Sequence, residues 1–145
     1  MQKNNYIKNI DAATGLSLFE VNGFSMWPFL RAGDKLIVKI TSLESLTIGD
    51  IILYVKDSQF VCHRLVKKIR SKDNYLLYVR GDNSNSIEIV DENMFRGKII
   101  SVLRKNRFKN LTTGFQLLTK QLIVIFSPFI RSSLNIAKFL LRGGK

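Results

Sequence analysis

The chain predicts a mainly β protein, a compact antiparallel sheet or partly open barrel, followed by a C-terminal amphipathic helical tail. Three observations carry that reading. Short apolar, β-branched and aromatic runs recur from Leu16 to about Val102. Clusters of Gly, Asp, Asn and Ser separate them at intervals that suit antiparallel hairpins better than βαβ units. After Arg104-Lys105-Asn106-Arg107 the pattern changes from alternating runs to a long apolar segment with spaced polar residues. With 145 residues and 46% hydrophobic content, the chain suffices for one domain with a sizeable core.

Taken in order, the first fifteen residues are polar and read as a short helix or a loose arm. Strands are expected at Leu16–Val21, Lys35–Ile40, Ile51–Val55, Phe60–Ile69, Tyr75–Val79 and Lys98–Leu103. The turns between them are Ala32-Gly33-Asp34, Ile48-Gly49-Asp50, Ser71-Lys72-Asp73-Asn74 and Gly81-Asp82-Asn83-Ser84-Asn85. From Leu111 onward, Thr113, Gln116, Lys120, Ser127, Arg131, Asn135, Lys138 and Arg142 fall three, four or seven apart, tracing a narrow polar stripe on a helix. Pro128 kinks or divides that helix. Between Gln121 and Arg131 only nine residues are continuously apolar or small, against the ~20 that a bilayer span requires.

Charge is distributed unevenly. Residues 1–92 hold 12 Lys/Arg and 11 Asp/Glu, whereas residues 93–145 hold 11 Lys/Arg and no acid, so the net +12 belongs almost wholly to the C-terminal third. A basic helix with a wide apolar face fits an anionic membrane surface, with the helix lying in the interface, and its apolar content favours lipid over nucleic acid. Packing of that helix on the sheet or on a second copy is the alternative. Cys62 is the only cysteine, which excludes an intrachain disulfide, and its place in an apolar run points to burial. The N-terminus shows no continuous apolar h-region, so no cleavable signal peptide is expected. There is no Cys/His cluster for zinc, no phosphate-cradling Gly-rich loop and no dinucleotide fingerprint, and no cofactor is expected.

Candidate chemistry centres on Gly23-Phe24-Ser25-Met26-Trp27-Pro28, which leads through Gly33-Asp34 into the apolar run Leu36-Ile37-Val38. A serine hydroxyl becomes a nucleophile only beside a base, and His63 is the sole histidine, in Phe60-Val61-Cys62-His63-Arg64. Lys67 and Lys68 are the competing bases. Asp34 and Asp50, each after a glycine and before an apolar strand, read as turn residues that satisfy backbone N–H groups. Trp27, Phe29 and Leu30 suit a substrate pocket, a membrane contact or the core.

The Ser-Met-x-Pro box, the His-Arg strand and the box Arg80-Gly81-Asp82-Asn83, in that order between Val21 and Val102, resemble a signal peptidase I-type serine protease. The nearest likeness is to the archaeal and endoplasmic-reticulum branch, where histidine takes the place of the bacterial lysine. The resemblance implies a signal peptidase/LexA-type β-rich fold, with residues 1–15 as an arm, 16–107 as the peptidase-like β domain and 108–145 as the tail. It implies Ser25 as nucleophile, His63 as general base and a substrate loop with Gly23, Met26 and Pro28, the Ser25 N–H contributing to an oxyanion hole. For the acid that orients His63 the order of preference is Asp82, then Glu88, then Asp91; Asp82 could instead be a turn residue or the partner of an arginine. The expected activity is endopeptidase cleavage of leader or signal-like peptides with small residues before the scissile bond. The sequence departs from the family in lacking a membrane-spanning segment before the serine. The alternatives are a LexA-like self-cleaving or DNA-associated peptidase, for which too few residues precede Val21, and a catalytically degenerate peptide- or membrane-binding member of the fold.

Overall fold

The computed structural model describes residues 7–11, 13–71 and 74–111. They form nine antiparallel strands: β1 (Ile7–Asp11), β2 (Leu16–Glu20), β3 (Lys35–Lys39), β4 (Ile51–Lys56), β5 (Gln59–Ser71), β6 (Asn74–Arg80), β7 (Ile87–Val90), β8 (Phe95–Arg104) and β9 (Arg107–Asn110). The spatial order is β1-β2-β3-β8-β4-β5-β6-β7, and β9 pairs with the C-terminal half of β8. Among the described residues there is no α-helix. The mainly β expectation therefore holds as an open antiparallel sheet. The amphipathic tail and its membrane-facing stripe lie outside the described residues.

Alternation along the central strands buries both faces of the sheet. On β4, Ile51 and Leu53 join a core with Phe19, Val21, Met26, Leu30, Leu36, Val38, Ile99 and Val102. The intervening Ile52 and Tyr54 join a second core with Leu43, Leu46, Leu65, Leu77, Val79 and Val90. A strand whose successive side chains are all buried lies between two apolar layers, and each fully buried aliphatic side chain contributes about 1.5–3 kcal/mol. The loop at Leu43–Leu46 is closed by Lys68, whose Nζ donates to the carbonyls of Leu43, Glu44 and Leu46 at 3.1, 2.9 and 2.8 Å and sits 5.0 Å from the Tyr75 ring centroid.

Tight turns fix the registers. The β4–β5 hairpin turns at Asp57 and Ser58 (φ 49° and 60°), and the β8–β9 hairpin at Lys105 and Asn106 (φ 49° and 59°). Both are two-residue loops with positive φ at both positions, the form whose twist matches the flanking strands. Elsewhere the chain repeats one device. In Arg31–Asp34 and in Thr47–Asp50 the aspartate N–H donates to the carbonyl three residues back, at 3.0 Å in each turn. The aspartate carboxylate in turn accepts the N–H of Arg31 or Thr47 at 2.8 and 2.9 Å. Gly33 and Gly49, with φ of 87° and 92°, supply the left-handed position before each aspartate. Each carboxylate also pairs with a cation of β8: Asp34 with Arg104, and Asp50 with Lys98 at 2.8 Å. Turn chemistry is the role expected for both aspartates, and ion pairs between the buried carboxylates and partly exposed cations add to it.

Three strands lie where the sequence predicts none. The N-terminal arm contains β1, whose polar residues take strand form by pairing with β2, from Ile7 opposite Phe19 to Asp11 opposite Leu16. Context rather than intrinsic propensity forms such a strand. Strand β7 is four residues long, with Val90 alone fully buried. The boundary expected at 107/108 falls inside β9, and Leu111, 4% exposed, closes the first core.

Asp34 is buried although ionised. Burial opposes its charge, but hydrogen bonds from Arg104 and from the Arg31 N–H, with the charges of both arginines, outweigh it and hold the carboxyl below its usual range. Asp34→Ala leaves those donors unsatisfied and should lower unfolding free energy by about 1–3 kcal/mol in urea titration; an unchanged midpoint would show that the turn closes without it.

Candidate active site

Ser25 stands on a loop that leaves β2 and returns to β3. Two hydrogen bonds close its neck, from the Val21 N–H to the Asp34 carbonyl at 2.9 Å and from the Gly33 N–H to the Val21 carbonyl at 2.8 Å. Met26 and Leu30, 1% and 0% exposed, anchor the loop in the first core. The Leu30 N–H donates to the Met26 carbonyl at 2.9 Å, which makes one tight turn of this segment. With its successor buried, Ser25 is left half-exposed.

His63 lies on β5 opposite Ile52 of β4, on the face of the second core, and is 6% exposed. Its Nε2 is 3.1 Å from Ser25 Oγ. Its Nδ1 is 2.8 Å from Tyr54 Oη, and Tyr54 donates to Glu88 Oε2 at 3.0 Å. Glu88 reaches His63 Nδ1 only at 3.9 Å, beyond hydrogen-bond range, and pairs with Lys56 Nζ at 3.0 Å. Burial lowers the His63 pKa below its ordinary value; the charges of Glu88 and Asp82 oppose the shift and Lys56 reinforces it. A ring with a depressed pKa is neutral at pH 7, the form that accepts a proton. Burial raises the Glu88 carboxyl, but hydrogen bonds from Lys56 and Tyr54, then the charges of His63 and Lys56, bring it below the usual range. Burial also pushes the Tyr54 hydroxyl far above the usual tyrosine range.

Asp82, the first choice for the orienting acid, is committed elsewhere. Arg64 follows His63 on β5, so its side chain points to the opposite face. There Nε and Nη2 donate to the two Asp82 carboxylate oxygens at 2.7 and 2.6 Å, with both side chains buried. Arg64 Nη1 donates to the Gly49 carbonyl at 2.9 Å, and the guanidinium lies 4.9 Å from the Phe29 ring centroid. Asp82 makes no hydrogen bond to His63, and its place is that of an arginine partner. Asp91, the third choice, accepts the Met94 N–H at 2.9 Å in the turn after β7. Glu88 is the acid that stands beside the imidazole. Lys67 and Lys68 are not at the serine: Lys67 lies over Tyr78, and Lys68 is held by carbonyls.

The Gly81–Asn83 turn presses on Ser25. The Asn83 N–H donates to the Ser25 carbonyl at 2.6 Å. A Cβ on Gly81 would lie 2.7 Å from the Ser25 carbonyl oxygen and 3.2 Å from His63 Nε2, so only glycine fits. The Ser25 N–H has no acceptor among the described residues, which leaves that donor available to an oxyanion. Beside Ser25 a cleft of about 170 Å³ is lined by Phe19, Val21, Gly23, Met26, Phe60 and Cys62 among others. Gly23 faces open space. Pro28 is exposed and does not line the cleft. Cys62 forms part of the cleft wall, and burial pushes its thiol up to about 12, which removes it as a competing nucleophile. Among the described residues no three His, Cys, Asp or Glu side chains converge as metal ligands would.

Sequence reasoning did not single out Tyr54, Lys56 or Gly81 as site residues. Gly81 was legible as the glycine of a turn box. Tyr54 is a lone hydroxyl in an aliphatic strand, and its role emerges only from the β4–β5 register.

No known protein family matches the chain in sequence, and no curated protein matches it either.

Replacing Gly81 by alanine tests the close approach. Gly81→Ala should displace Ser25 from His63 and slow covalent labelling of Ser25 by a serine-directed reagent by on the order of 100-fold. Labelling at the wild-type rate in a folded variant would refute that contact.

Proposed function

We propose that this protein is a serine endopeptidase of signal-peptidase type that cleaves leader or signal-like peptides with small residues before the scissile bond. The observation that carries the reading is the approach of Ser25 Oγ to within 3.1 Å of a buried His63 Nε2. In this scheme His63 takes the proton of Ser25 as the oxygen attacks the peptide carbonyl. The Ser25 N–H, which has no acceptor among the described residues, stabilises the oxyanion. His63 then gives the proton to the leaving amine, and water hydrolyses the acyl-enzyme by the same route. The cleft beside Ser25 has apolar walls and room for a small aliphatic side chain, and the exposed Asn22–Gly23 backbone beside it can meet an extended peptide. No cofactor enters the scheme.

The proposed setting is an anionic membrane surface, approached through the basic C-terminal tail. The positive charge begins within the described residues: Arg107, Phe108 and Lys109 of β9 are all exposed, Phe108 at 67%. Cations flanking an exposed aromatic ring suit an anionic interface.

Wild type and Ser25→Ala should be compared on tiled peptides carrying Ala or Gly before the cut site, with mass spectrometry locating each cut. Cleavage by wild type and none by Ser25→Ala is the expected result. Equal turnover by the two proteins would remove Ser25 from the mechanism, and no cleavage by either would favour a fold that binds peptides without cutting them. For the tail, the full chain should co-sediment with anionic vesicles and not with zwitterionic ones, and lose that binding when residues 112–145 are deleted. Undiminished binding by the deletion variant would overturn the tail assignment.

A further inference from the structure

Hydrogen-bond accounting around His63 leads to one further assignment. Three acceptors or donors meet in a line behind the imidazole: His63 Nδ1, Tyr54 Oη at 2.8 Å and Glu88 Oε2 at 3.0 Å. A phenol has one proton to give. An ionised carboxylate can only accept, and Lys56 beside it keeps it ionised. The Tyr54 proton is therefore directed at Glu88, which makes the stronger, charge-assisted bond. Tyr54 Oη is then an acceptor toward the imidazole, and Nδ1 must carry a hydrogen to make the 2.8 Å contact favourable. A neutral imidazole with hydrogen on Nδ1 has its lone pair on Nε2, and Nε2 faces Ser25 Oγ. The reverse arrangement, with Tyr54 donating to Nδ1, sets a phenol lone pair against the Glu88 carboxylate and turns an N–H toward the serine.

We propose that Tyr54 is the positioning residue that fixes the base-competent tautomer of His63, and that Glu88 acts on His63 through the Tyr54 hydroxyl rather than by direct contact. No proton passes along the line. The Ser25 proton moves to Nε2 and from there to the leaving group, while the Nδ1 hydrogen and the Tyr54 hydrogen stay where they are. The imidazolium formed in between is stabilised by a hydroxyl already polarised by Glu88. The packing makes the arrangement rigid. Tyr54 is fully buried, on the same face of β4 as Ile52, and its ring centroid is 5.9 Å from that of His63. The charged groups that act on His63 are Glu88 of β7, Lys56 at the end of β4 and Asp82 of the turn after β6; Glu88 also acts on Tyr54.

The kinetic part of this proposal rests on the peptidase reading, and the spectroscopic part does not. His63 is the only histidine in the chain, so imidazole ¹H–¹⁵N spectra of labelled full-length protein report its tautomer without assignment. Wild type should show neutral His63 protonated on Nδ1, and Tyr54→Phe, which keeps the ring and removes Oη, should lose that preference and titrate at lower pH. In the cleavage assay Tyr54→Phe should lower kcat by on the order of 10- to 100-fold with KM unchanged, and shift the acid limb of kcat/KM to lower pH. Glu88→Gln should lower kcat in the wild-type background and add little to Tyr54→Phe, because the two act as one unit. A wild-type His63 protonated on Nε2, or an Nδ1–H preference that survives Tyr54→Phe, would overturn the assignment. Additive effects of the two substitutions would overturn the indirect role of Glu88. If wild type cleaves nothing, the spectra alone decide the positioning role, and the loss then falls on the peptidase reading.

Discussion

The buried pair of Arg64 and Asp82 is the contact on which the site depends. One guanidinium ties four segments together: β5, which carries it, the Asp82 turn through two hydrogen bonds, the turn at Gly49 through a third, and the Ser25 loop through the Phe29 ring. Arg64, which anchors these turns, and His63, which faces Ser25, are neighbours in sequence, and successive side chains of a strand face opposite ways. His63 faces one core and Arg64 the other, so the placement of the imidazole and the tying of the loops are a single fact about β5. Gly81 then brings the Asp82 turn against Ser25 and His63 with no room for a further atom. Removing one partner of such a buried pair leaves an uncompensated charge, at about 3–5 kcal/mol. The pair thus has a structural reason to be present whatever acid stands beside His63.

A second constraint works at the middle of the sheet. Strand β8 runs between β3 and β4, and each of those strands enters through a Gly-Asp turn whose carboxylate is paired with a β8 cation. Backbone satisfaction and charge pairing fall on the same atoms: Asp34 Oδ2 accepts from both the Arg31 N–H and Arg104, and Asp50 Oδ2 from the Thr47 N–H and Lys98. Arg104 also reaches the Phe29 carbonyl at 3.0 Å, so the strand that aligns the sheet holds the Ser25 loop as well. The loop is fixed from two sides, by Arg64 through a ring and by Arg104 through a carbonyl.

Much of this arrangement was legible in the sequence. The six apolar runs became strands, because β-branched and aromatic residues bounded by turn formers describe a buried sheet on their own. Strands β1 and β9 owe their form to pairing with a neighbour, and a polar or basic stretch gives no such indication in isolation. Ser25 and His63 could be named as candidates from the family resemblance of their boxes, and His63 also as the sole histidine. The choice among Asp82, Glu88 and Asp91 could not, because it depends on two long-range registers, Arg64 opposite Arg80 and Val79 opposite Glu88. Those registers give Asp82 to an arginine and bring Glu88 to the imidazole side. Tyr54 was hidden for the same reason: pairing Ile52 with His63 is what makes it a diagonal neighbour of the imidazole.

The position of Glu88 within the sheet has a consequence for how the molecule fails. Strand β7 ends the sheet, with four residues hydrogen-bonded to β6 on one side and one side chain fully buried. Edge segments of that kind open at free energies far below global unfolding. Ser25 and His63 themselves sit on a loop anchored in the first core by Met26 and Leu30 and on the longest strand, β5, which is paired on both sides. The carboxylate behind His63 therefore belongs to a different cooperative unit from the atoms it serves. Heat or denaturant will detach the Glu88 carboxylate from Tyr54 while Ser25 and His63 still face each other, so the surroundings of the imidazole will change in a separate, earlier step than the shape of the molecule.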